Sequence, residues 1–69
     1  MTPSQLISAA PDPADLTASA EWLANVLAYS KTAENKEMEF DARCALMFCD
    51  NAPVVTRYVR MILSVLKTI

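Results

Sequence analysis

The sequence predicts an all-α fold: one small domain over residues 1–69, built as a helical hairpin followed by a C-terminal helix. Three observations carry this reading. No glycine interrupts the 69 residues. All four prolines stand where helices would begin. Apolar residues recur at helical rather than strand spacing along most of the chain.

The elements follow in chain order. Thr2-Pro3-Ser4-Gln5 has the pattern of an N-cap, a first-turn proline and a capping-box glutamine, so a short helix is expected over 3–9. Asp12-Pro13-Ala14-Asp15 repeats the start signal. The Asp12 side chain would accept from free amides, and Asp15 suits the positive end of the helix dipole. The first main helix is expected over 13–30. Leu16, Ala20, Leu23 and Leu27 share its inner stripe, and Trp22, Val26 and Tyr29 widen it on one side. Thr17, Glu21, Asn25 and Ala28 lie opposite.

Nothing strictly breaks the chain between Pro13 and Asp50. A single helix there would run roughly 55 Å at 1.5 Å per residue. Helices are usually far shorter, so a break is expected near Ser30–Thr32, with Thr32 capping a second helix over 33–49 and Glu34 in its first turn. Lys31 to Arg43 holds seven charges in thirteen residues and reads as a solvated face. Glu39 and Arg43 stand at i, i+4 in the favourable order. Phe40, Cys44 and Met47 run down the other side. Leu46, Met47, Phe48 and Cys49 then surround the helix with apolar side chains, so this end is expected in a core or an interface.

Asp50-Asn51-Ala52-Pro53 ends that helix, and the third is expected over 53–68. Its β-branched content suggests a strand. Period two would put Arg57 and Arg60 on opposite faces, whereas helical spacing gathers Arg57, Arg60, Ser64 and Lys67 into one polar stripe. Val55, Tyr58, Val59, Ile62, Val65, Leu66 and Ile69 then fill an apolar arc of about 200°, at ~100° per residue. A surface helix of a monomer needs less. Part of the arc is therefore expected to serve a homodimer, with Val55, Tyr58, Val59, Ile62 and Leu66 as its seam.

Size points the same way. A domain of about 60 residues buries only about 60% of its unfolded surface, yet 54% of this chain is hydrophobic. The surplus calls for self-association or a partner protein.

Composition narrows the function classes. Without histidine, the commonest general base near neutral pH is missing. No nucleophile elbow, phosphate loop, zinc motif or calcium loop occurs. No catalytic residue, cofactor or metal ligand is assigned, and no enzyme is expected. Cys44 and Cys49 lie about 140° apart on a helix and are expected as unpaired, buried hydrophobes. Residues 1–30 carry a net −3, residues 31–50 a net −2 and residues 51–69 a net +3. Three bases at the end of an acidic chain are a poor footprint for nucleic acid or a membrane surface. There is no uncharged run of about 20 residues and no basic n-region before an apolar stretch, so a cytoplasmic location is expected.

What remains is protein binding. Trp22 and Tyr29 share one rim of the first helix, and aromatic rims are enriched at interfaces. With Glu34, Glu37 and Phe40 they form the expected partner-binding set, the acids steering the chain towards a basic target. Small size, acidity, glycine-free helices, the KTAENKEMEFDAR segment and the apolar tail together resemble the small phage-encoded proteins that disable host proteins, the quorum-sensing anti-activators among them. The resemblance implies non-catalytic inhibition of a host regulatory protein, such as a transcription regulator, by a homodimer. The alternatives are an assembly subunit and a small helical DNA-binding regulator.

Overall fold

The computed structural model describes all 69 residues as four helices: α1 (Pro3–Ser8), α2 (Leu16–Thr32), α3 (Lys36–Met47) and α4 (Ala52–Leu66). The short first helix is therefore a full element, and the domain has one helix more than the three main ones expected. α2 and α3 form the hairpin, α4 packs along α3, and α1 closes the end against α4 and α2. The molecule exposes 4323 Å². A folded monomer of this mass exposes about 4300 Å², so the single chain is already compact.

Side-chain caps set every helix start. Gln5 N–H donates to Thr2 Oγ1 while Thr2 N–H donates to Gln5 Oε1, completing the capping box. Ala18 N–H donates to Asp15, Met38 N–H to Asn35 and Val54 N–H to Asn51, each at 3.0–3.3 Å. Two starts differ from expectation. Asp15, not Asp12, caps α2; Asp12 instead accepts from Ala14 N–H in the preceding turn. Asn35, not Thr32, caps α3, because α2 runs on through Thr32, whose hydroxyl donates back to the Ala28 carbonyl.

The turn between α2 and α3 explains that shift. Asn35 N–H donates to the Ser30 carbonyl at 2.9 Å and Glu34 N–H to the Lys31 carbonyl at 3.3 Å. This pair of bonds is a Schellman motif, and it requires a left-handed residue at its centre. Glu34 occupies that place with φ of 55°. A chain with no glycine uses glutamate where glycine is favoured, and puts its charge against the negative end of the α2 dipole. Glu34 thus belongs to the end of α2, not to the first turn of α3.

Eleven buried apolar side chains make one core: Leu6 from α1; Trp22, Leu23 and Val26 from α2; Met38, Ala42 and Ala45 from α3; Val55, Val59, Ile62 and Leu66 from α4. The inner stripe of α2 is rotated by roughly 60° from the expected one, at ~100° per residue. Its axis runs through Ser19, Leu23, Val26 and Ser30, while Leu16 and Leu27 are only half-buried. Serines qualify because their hydroxyls donate to backbone carbonyls: Ser30 to Leu27 at 2.8 Å, and Ser19 more weakly to Asp12 at 3.5 Å. No buried side-chain polar atom lacks a partner.

Trp22 is 3% exposed, and its indole N–H donates to the Leu6 carbonyl at 2.9 Å. Leu6 lies in the last turn of a six-residue helix, where carbonyls have no partner within the helix. One side chain of α2 thereby anchors α1 by both packing and a buried hydrogen bond.

Two stability measurements follow. Trp22→Phe leaves the Leu6 carbonyl unpaired and should cost about 1–3 kcal/mol in urea unfolding followed by far-UV circular dichroism. Glu34→Gly relieves the left-handed glutamate and the dipole clash, and should raise stability by about 1 kcal/mol in the same assay.

Candidate protein-binding surface

The buried face of α3 is Met38, Ala42 and Ala45, spaced i, i+4, i+7. Two of these three are alanines, which let a helix approach its neighbours closely. Two of the large apolar residues of α3 point outward. Phe40 is 64% exposed and Met47 76%. With half-buried Cys44 between them, they form a second i, i+4, i+7 stripe, this one facing solvent. The expected burial of Leu46 to Cys49 is corrected accordingly. α3 stops at Met47, Leu46 is half-buried, and Met47, Phe48 and Cys49 are exposed. Both cysteines are free.

Beside this stripe the seam between α3 and α4 holds two hollows that share no lining residue, taken together as its groove. One is lined by Glu37, Asp41, Met61 and Val65 over the core residues Met38 and Ile62. In the other, Phe48, Pro53, Val54, Arg57 and Tyr58 surround about 500 Å³. Val54, Tyr58, Met61 and Val65 follow i, i+4, i+7, i+11 and form the α4 wall. Met61 and Val65 are 44% and 42% exposed.

Electrostatics divides the groove between its walls. Partial burial, reinforced by the repulsion of Glu37 one turn earlier, pushes the Asp41 carboxyl above its ordinary value of 3.8. Partial burial also raises Tyr58, with the Cys44 thiol beside its hydroxyl and the charge of Asp41 acting the same way against the opposing effect of Arg57. Glu39 and Arg43 form the one ion pair of the chain, at 3.6 Å on the exposed side of α3. Glu37, Asp41 and Arg57 have no ion-pair partner within the chain. Arg57, Arg60, Ser64 and Lys67 are all exposed along α4, as their spacing indicated.

The expected site residues are therefore sorted by depth. Trp22 is withdrawn from the partner-binding set, because its indole is committed to the core and to Leu6. Tyr29 is half-buried beside the N-terminal segment, in a shallow groove with Met1, Pro3 and Asn25. Glu34 is exposed at the hairpin turn. Phe40 heads the outward stripe of α3, with Glu37 exposed one turn before it. The proposed dimer seam is corrected more heavily. Val55, Val59, Ile62 and Leu66 are sealed into the chain's own core, because α4 has both α3 and α1 to cover. Only Tyr58 of that seam reaches the surface.

Met47, Phe48, Met61 and Val65 are surface residues absent from the expected site. The spacing of Phe40, Cys44 and Met47 was visible, but a stripe covered by its own chain and one left bare have the same spacing. No set of three His, Cys, Asp or Glu side chains lies close enough to hold a metal ion. No helix is long and apolar enough to cross a membrane. No protein-family model, curated protein sequence or solved structure matches this chain.

The raised Asp41 makes a pH prediction. The folded state holds the Asp41 proton more tightly than the unfolded chain, so ionisation of this carboxyl costs stability. That cost is fully present above the raised value and disappears as pH falls below 3.8. Asp41→Asn should therefore melt at a higher temperature than the native chain near pH 7. The gap should close on acidification to about pH 3, as read by thermal denaturation at matched salt.

Proposed function

We propose that this chain is a non-enzymatic protein-interaction module that inserts the outward stripe of α3 into an apolar groove of a target protein. The observation that carries the reading is the exposure of Phe40 and Met47 on one face of a helix whose own packing is completed by Met38, Ala42 and Ala45. The fold does not require these side chains outside, and leaving them in water forgoes about 1.5–3 kcal/mol for each. Anchors at i, i+4 and i+7 are how an amphipathic helix engages a groove. α3 already has a completed N-cap and hydrophobic packing along its inner face, so little ordering entropy opposes binding.

The chemistry around the stripe describes the target. Glu37 and Asp41 flank it on one side without ion-pair partners, while Lys36 and Arg43 stand one turn before Phe40 and Met47. A groove with a basic rim would meet the two carboxylates with favourable charge and a faster association rate. Within this class, the reading favoured is a small inhibitor of phage type that acts in the cytoplasm by covering a host regulatory protein. The basic, nucleic-acid-facing side of a transcription regulator has the required charge. Inhibition needs no chemistry from the chain itself, only occupancy.

The test compares the native chain with Phe40→Ala/Met47→Ala in affinity capture from host lysate. Both substitutions lie outside the core, so helix content should be unchanged. The native chain should recover one host protein near one-to-one and suppress its activity in a purified assay, while the double variant should lose at least tenfold in affinity. Equal capture by the double variant would remove the α3 stripe as the binding surface. Stoichiometric capture with full target activity would replace the inhibitor with an assembly subunit.

A further inference from the structure

The groove wall of α4 is a second apolar surface, which meets the α3 stripe where the Tyr58 hydroxyl lies beside the Cys44 thiol. Met61 and Val65 project from it half-exposed, with Val54 and Tyr58 in the same row. Its charges are arranged unusually. Glu37 and Asp41 stand on the α3 side of the groove, next to Met61 and Val65. Arg57 stands on the α4 side, at the opposite end beside Val54 and Tyr58. None of the three has an ion-pair partner in its own chain. An acidic corner and a basic corner on one apolar face form the pattern that a two-fold axis satisfies, because each corner of one copy meets the other corner of the second.

We infer that the occupant of this groove is a second copy of the chain, with the α4 helices packed antiparallel across a two-fold axis near Met61. The register follows from the sequence. Arg57 and Val65 each lie four residues from Met61. An antiparallel pairing centred on Met61 therefore sets Arg57 beside the partner's Val65, and the partner's Glu37 and Asp41 line the same pocket as that valine. Met61 meets the partner's Met61 at the axis. Arg57 lays its apolar stem on the partner's Val65 and brings its guanidinium to the two carboxylates. The same contact recurs by symmetry on the other side.

Area is consistent with this arrangement. A standard interface covers about 800 Å² per partner, about a fifth of the 4323 Å² that the monomer exposes. The core residues Val55, Val59, Ile62 and Leu66 take no part. The seam lies about 90° around α4 from them, on its half-exposed flank, at ~100° per residue. The α3 stripe of Phe40 and Met47 lies beyond the groove, so a dimer would present it twice.

Sedimentation velocity over a concentration series, in low and high salt, tests the arrangement. The native chain should dimerise, more weakly as salt rises. Arg57→Glu should raise the dimer dissociation constant at least tenfold, and so should Asp41→Arg. The double variant Arg57→Glu/Asp41→Arg reverses the Arg57–Asp41 pair on both sides of the axis while Glu37 keeps its sign, and should bind at least threefold more tightly than either single variant. Rescue by the double variant separates a lost contact from a lost fold. A chain that stays monomeric to about 1 mM overturns the inference, as does a dimer indifferent to both single reversals. Phe40→Ala/Met47→Ala should dimerise normally, so failure of target capture and failure of dimerisation are independent results.

Discussion

The surface of this protein depends on one packing constraint: α3 is buried through Met38, Ala42 and Ala45. Alanines at two of three inner positions draw the helix close to its neighbours and leave no room for Phe40 or Met47 inside. Had the inner face been the larger stripe, the hairpin would have opened to accommodate it, and the outer face of α3 would be Met38, Ala42 and Ala45. The exposed apolar stripe, the half-filled groove beside α4 and the carboxylates on its wall all follow from which side of α3 turns inward.

A second constraint is size. With eleven apolar side chains in the core, each element must do more than one job. Trp22 fills space and also accounts for an orphan carbonyl at the end of α1. Ser19 and Ser30 allow α2 to be buried where a larger polar group would be costly, because each returns its hydroxyl to the backbone. Four side-chain caps start the four helices without glycine, and the one position that would favour glycine holds Glu34 in a left-handed conformation. A strained, negatively charged residue at the hairpin turn departs from an otherwise locally consistent chain.

Much of the architecture was legible. The capping box at Thr2, the Glu39–Arg43 pair, the break at Asn51 and the polar stripe of α4 are local patterns, decided within a turn or two of sequence. Helix boundaries were less so. Asp12 and Asp15 are both competent caps, as are Thr32 and Asn35, and the choice between them came from the turn each helix had to make. The candidate site was the least legible part. Trp22 and the predicted seam were correctly marked as apolar and unusual, but apolarity does not distinguish a side chain sealed by its own chain from one awaiting another.

The sequence by itself determined that the chain is helical, in which stretches its helices break, and that it carries more apolar surface than a small core absorbs. These follow from spacing, capping and composition, which act over a few residues. Tertiary structure decided which apolar stripe was absorbed. α4 met both α3 and α1 and lost its predicted seam to the core, while α3 turned its alanines inward and its phenylalanine and methionine out. That choice rests on how closely helices distant in sequence can approach, a property of side-chain volumes across an interface rather than of any one segment.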